Sequence, residues 1–273
     1  TGDYQSAFGA LALFTNDVGI HNSAFGGKAL NKNLSGSNNC SFGAVSLTTN
    51  VVGSNNSAFG HSALRFNIAN NNSAFGYQAM FSNSNGHSNV ATGVRALQNN
   101  VSGTENTATG FEALKANVDG DANSAHGLAA LYSNTSGIRN SAHGYKSLYF
   151  NTIGNENTAT GQAALFSNTE GSYNTATGRN ALFSTTSGSE NTATGINALF
   201  SNIIGEKNVA TGTNALVSNL GSNNVATGYD ALASNTIGEF NTAYGVNSLK
   251  TNIDGSNNTA TGHEALFLSA SGS

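Results

Sequence analysis

The sequence predicts an all-β chain wound as a parallel β-solenoid of sixteen coils of about 17 residues, and three observations lead there. The motif Asn-x-Ala-x-Gly recurs from end to end. It places an anchor glycine at Gly9, Gly26, Gly43 and onward to Gly262 in sixteen copies, seventeen residues apart except for two gaps of sixteen. A fixed short period of this kind marks a stack in which each copy is one coil touching mainly its neighbours. A leucine stands four residues after every anchor except at Met80, so one aliphatic spine runs through all copies. A second glycine follows most anchors by ten residues and divides each copy into two short segments separated by turns.

Each element of the coil has its own signature. Four residues before the anchor, every copy has Asn except Gln5, and seven after it Asn recurs except at Thr185 and Ser269. In stacked identical coils, Asn side-chain amides can bond to their equivalents above and below while satisfying turn backbone. Asn106, Asn191 and Asn208 are therefore read as ladder residues. Two before the anchor stands Ala, replaced once by Ser41, which requires a coil too thin for a larger side chain. The spine, represented by Leu182, Leu199 and Leu216, is expected inside. Both short copies lose their residue near the second glycine, where a loop can absorb a deletion. Two extended segments, Asn-Thr-Ala-Thr and Ala-Leu-Phe-Ser-Asn, are then expected to alternate with two turns. At about 4.8 Å per coil the stack makes a rod on the order of 75 Å long.

The totals restrict function. Charged residues are 9% of the chain, Pro and Trp are absent, and the formal net charge is -4. Without a Lys/Arg stripe the electrostatic footprint of a nucleic-acid binder is missing, so no nucleic-acid partner is expected. No charged leader with an apolar core and no run of eighteen apolar residues occurs, so no membrane insertion is expected. Cys40 is the single cysteine and can staple nothing within the chain. The repeat fills 1–273, which reads as one domain and as a segment of a longer fibrous protein.

Strand alternation sends the residues one and three before the anchor to the face opposite the small Ala. The column just before the anchor starts as Phe8, Phe25, Phe42, Phe59 and Phe75, then becomes mostly Thr, with His126, His143 and Tyr244 interposed. Five successive Phe form an apolar stripe that calls for a partner, and self-association is expected there.

Asn-Thr-Ala-x-Gly-x-x-Ala-Leu resembles the head repeats of trimeric autotransporter adhesins, the Hep/Hag type, and related repeats of tail-fibre-like surface proteins. The resemblance covers essentially all sixteen copies. It implies left-handed parallel β-rolls, three chains side by side, and an extracellular or cell or virion surface location with a role in cell adhesion. The period differs from the head repeat's usual fourteen residues, and most copies carry Thr where the family has an aliphatic residue.

No His/Ser/Asp or Cys constellation, recurrent carboxylate pair or phosphate loop appears, so neither an enzyme nor a cofactor is expected. The leading expectation is a structural extracellular fibre or adhesin-like segment that extends or presents other domains. A second is ice binding through Thr107/Thr109, Thr158/Thr160, Thr175/Thr177, Thr192/Thr194 and Thr259/Thr261, whose hydroxyl rows resemble the flat Thr arrays of insect antifreeze proteins. A third is glycan binding by a tail-fibre-like shaft, with Tyr132, Tyr149, Phe166, Phe183 and Phe200 as stacking platforms or as cover for the Leu spine. His126 and His143 hold one column in successive copies. Brought onto a threefold axis they would supply six nitrogens for a transition-metal ion, and otherwise they fill a polar layer.

Overall fold

A computed structural model describes residues 4–268, so Ser269 lies outside the described residues. The chain divides into two compact units, Thr1–Arg139 and Asn140–Ser273. Unit 1 holds strands β1 (Ser6–Phe8), β2 (Ser23–Phe25), β3 (Cys40–Phe42), β4 (Ser57–Phe59), β5 (Ser73–Phe75), β6 (Val90–Thr92), β7 (Thr107–Thr109) and β8 (Ser124–His126). Unit 2 holds β9 (Ser141–His143), β10 (Thr158–Thr160), β11 (Thr175–Thr177), β12 (Thr192–Thr194), β13 (Val209–Thr211), β14 (Val225–Thr227), β15 (Thr242–Tyr244) and β16 (Thr259–Thr261). Within each unit every strand pairs in parallel with the next one in sequence, and equivalent residues face each other, as in Ala176↔Ala193 and Ala193↔Ala210. No helix occurs among the described residues. Both units are parallel β-solenoids, one strand to a coil.

The second extended segment expected from the sequence is not a strand. The stretch after each anchor glycine is a turn, and its leucine sits at positive φ, 53° at Leu199. Each coil holds three non-glycine residues in this region, for example Glu190, Asn197 and Leu199 at φ 59°, 56° and 53°. The geometry follows from burial. Ala198 and Leu199 are adjacent in sequence and both fully buried, which a strand with its alternating faces cannot achieve. Left-handed backbone lets two consecutive side chains enter the same interior, at a cost of about 1–2 kcal/mol per residue.

Hydrogen bonds between coils continue through this turn. Lys28 N–H donates back to the Ala10 carbonyl at 2.8 Å, Leu30 N–H donates forward to Ser46 at 3.0 Å, and Lys32 N–H forward to Thr48 at 3.1 Å. The buried backbone is thereby satisfied although the segment is not β, which offsets the conformational cost.

The core has two apolar parts. Away from the end coils, the Ala column of the strands and the Ala column three after the anchor are buried, with the Leu spine beside them. Fully burying a Leu contributes about 1.5–3 kcal/mol per coil. The one coil with Ser41 also carries Ser46, and their Oγ atoms lie 2.6 Å apart, so the two hydroxyls satisfy each other. The anchor glycine is needed for approach between coils: Gly195 has φ +135°, and a Cβ there would meet the Gly212 carbonyl oxygen at 2.6 Å.

Asparagine closes each coil. Asn191 Nδ2 and Asn202 Nδ2 both donate to the carbonyl of Gly205, the second glycine, at 2.8 and 2.9 Å. Asn191 Oδ1 accepts the backbone N–H of Asn208 at 3.0 Å and its Nδ2 at 3.2 Å, which passes the ladder to the next coil. Asn106 and Asn208 repeat the pattern, donating to Gly120 at 2.8 Å and Gly221 at 2.9 Å. The short coils keep the clamp by trimming the loop inside it. Asn67 donates to Ala69, and Asn219 to Gly221, two residues on instead of three. In both of these coils a bond of 3.1 Å ties the two columns together, Asn72 to Asn67 and Asn224 to Asn219.

Candidate interaction face

With alanine turned inward, each strand presents its first and third residues outward. Neither outer column contains an Asp, Glu, Lys or Arg in any of the sixteen strands. The charges sit on the turns, where Glu112 accepts from Arg95 at 3.2 Å and from Lys115 at 2.8 Å, and Asp230 pairs with Lys250 at 2.8 Å. Burial pushes the Glu112 carboxyl up, but the hydrogen bonds and charges of Lys115 and Arg95 outweigh it and hold the group below its ordinary value. The bond to Glu112 raises Lys115 against its own burial. The Arg95–Glu112 and Lys250–Asp230 ion pairs join neighbouring turns.

The structure places Phe25, Phe42, Phe59 and Phe75 in one ladder, ring centroids 4.6, 4.9 and 5.0 Å apart and planes within 9°. Phe8, in the first strand, is 75% exposed, and Phe25, Phe59 and Phe75 remain exposed as well. Each interior ring is stacked against a neighbouring ring on either side.

Tyr149, Phe166, Phe183 and Phe200 stack in the same way at 5.4, 5.0 and 5.1 Å, half-buried on the turn of unit 2. Tyr132 in unit 1 carries the Lys115 ammonium 5.3 Å from its ring centre. A sugar-stacking platform needs an open ring face, and the faces of Phe166 and Phe183 are turned to their ring neighbours. The sequence could not show this, because it gives the column of a ring and not its tilt.

The threonine pairs separate into groups. Thr158/Thr160, Thr175/Thr177 and Thr192/Thr194 lie on three consecutive strands in register, all but the half-buried Thr192 exposed. Thr107/Thr109 faces Val90/Thr92 on one side and Ser124/His126 on the other. Thr259/Thr261 faces Thr242/Tyr244. The hydroxyl array is thus three rungs deep, flanked by Ser141/His143 and Val209/Thr211.

His126 is half-buried at the end of β8, in unit 1, and His143 is exposed at the end of β9, in unit 2. His143 Nε2 lies 3.1 Å from Ser141 Oγ. No group of three His, Cys, Asp or Glu side chains that could hold a metal ion occurs among the described residues. Compared with protein-family models and with curated proteins, the chain matches none.

Proposed function

We propose that this chain is a non-catalytic, structural β-solenoid segment of an extracellular or surface fibre, which associates with copies of itself through the strand face. The observation that carries the reading is an exposed, charge-free face with a continuous Phe ladder on a stack of equivalent coils. Exposed apolar surface of that extent is characteristic of an interface. The resemblance to trimeric adhesin heads and tail-fibre repeats favours three chains and a role in presenting other domains or contacting a cell surface. Stiffness within each unit would come from backbone bonds that link a coil to the next through both its strand and its turn. Light scattering at several concentrations tests the association. A mass near three times 27.7 kDa supports the trimer, and a constant 27.7 kDa overturns self-association.

A second reading, ice binding, is favoured by the in-register Thr rungs of β10, β11 and β12. Strand spacing puts such hydroxyls about 6.7 Å apart along a strand and about 4.8 Å between rungs, a flat lattice. Thermal hysteresis that is lost on replacing Thr160, Thr177 and Thr194 by Lys would support it. Absence of hysteresis in the parent protein would end it.

A further inference from the structure

We infer that the self-association surface of unit 1 is not confined to the Phe ladder but crosses the anchor-glycine corner at Phe75-Gly76-Tyr77 and continues on the column just after the glycine, with a second copy of this chain as its occupant. This rests on the self-association reading above and extends it to residues on another column.

In the early coils the position after the anchor is small or polar: Ala10, Gly27, Ala44, His61. From the coil where the Phe ladder ends it becomes Tyr77, Val94, Phe111 and Leu128, while the column before the anchor turns to Thr92, Thr109 and His126. Apolar character is handed from one side of the corner to the other without a missing coil. The four new side chains are between 39% and 47% exposed, about as open as the ladder rings. Single exposed hydrophobes need no explanation, but four in successive coils, continuous with a ladder, do.

Area decides that the ladder alone is too small. An aromatic side chain buries about 150–250 Å², so at two-fifths exposure each offers a partner roughly 60–100 Å². The four stacked rings and Phe8, itself three-quarters exposed, together give roughly 350–600 Å², short of the about 800 Å² per partner of a standard interface. Adding the four residues beyond the corner brings the total to roughly 500–900 Å².

Charge points to an identical partner. In a parallel, in-register pairing each residue meets its own copy, so any charge would meet a like charge. In unit 1 neither the two outer strand columns nor the column after the anchor contains an Asp, Glu, Lys or Arg. The next position along does, at Lys28, Arg95 and Glu112. A like copy also repeats at the same rung spacing, so each rung of one chain finds an equivalent rung on the other.

Tyr77, Val94, Phe111 and Leu128 replaced together by Thr test this, since Thr213 already occupies that column in this chain. Sedimentation equilibrium is expected to show an apparent self-association constant weakened at least roughly tenfold, as for a variant with Phe25, Phe42 and Phe59 replaced by Thr. An unchanged constant for the first variant with a weakened one for the second overturns the hand-off and leaves self-association standing. A parent monomeric at every concentration removes both. Should the fourfold variant lose its β circular dichroism, a photo-crosslinking amino acid at Phe111 replaces it. Covalent dimers support the inference, and crosslinks absent there but formed from Phe42 refute it.

Discussion

At the scale of single residues, Val45 and Thr185 each carry a physical cost. Among the described residues, Val45 is the only β-branched one at positive φ, at 54°, where branching at Cβ crowds the backbone most. Asn occupies the same column at Asn180, Asn197 and Asn214. Val45→Asn is therefore expected to stabilise the protein by about 1 kcal/mol, read as a rise in melting temperature. Thr185 interrupts the second Asn column. Its hydroxyl donates to the Asn202 carbonyl at 2.8 Å, but it has no amide to offer the coil before it, and Asn168 Oδ1 is left buried without a partner. Thr185→Asn restores that donor and should add about 1 kcal/mol. A variant less stable than the parent would show that Thr185 contributes something the ladder does not.

At the scale of the element, the clamp at the second glycine and the charged turn make separate predictions. A Cβ at Gly86 would fall on the Gly103 carbonyl oxygen, backbone that the ladder holds in place. Gly86→Ala is expected to cost about 1–3 kcal/mol, measured by thermal or denaturant unfolding. Glu112 is a depressed carboxyl, so its contribution to stability is complete above the unfolded value near 4.5 and is lost as pH falls through the lower folded value. Glu112→Gln should reduce stability at pH 7 by about 0.5–1 kcal/mol, with the gap to the parent closing at acid pH. A gap that stays constant below pH 4 would mean that hydrogen bonding, and not charge, is what Glu112 supplies.

At the scale of the whole molecule, the repeat makes the coils, the thin interior and the Leu spine legible in the sequence. The path of the second segment is not. Column statistics report which residues lie inside, whereas φ is set by how the backbone must turn to bring Ala198 and Leu199 in together. The clue was present, since two consecutive buried positions contradict a strand. The outer columns were equally legible as a face, but the stacking of the ring faces and the apolar column at Tyr77 to Leu128 needed burial and tilt. Hydrogen exchange checks the turn directly. The amides of Leu182, Leu199 and Leu216 each donate to the next coil at 3.0 Å and are expected to exchange as slowly as that of Thr192, a strand residue. Fast exchange at the leucines alone would show that these bonds do not persist in solution.

The asparagine clamp also sets how this protein ages. Hydrolysis of a side-chain amide converts Asn to Asp, removing the donor to the glycine carbonyl and leaving a carboxylate in a site with no solvent, as at Asn191. Ring closure onto the following backbone nitrogen, the first step of that conversion, requires freedom that the folded coil withholds: Thr192 N–H is itself engaged with the Asn208 carbonyl at 2.8 Å. Folded chains should keep their isoelectric point for long periods, while chains held unfolded drift acidic and, once converted, fail to restack. The same side chains that join the coils thus act as a chemical record of how long the molecule has spent unfolded.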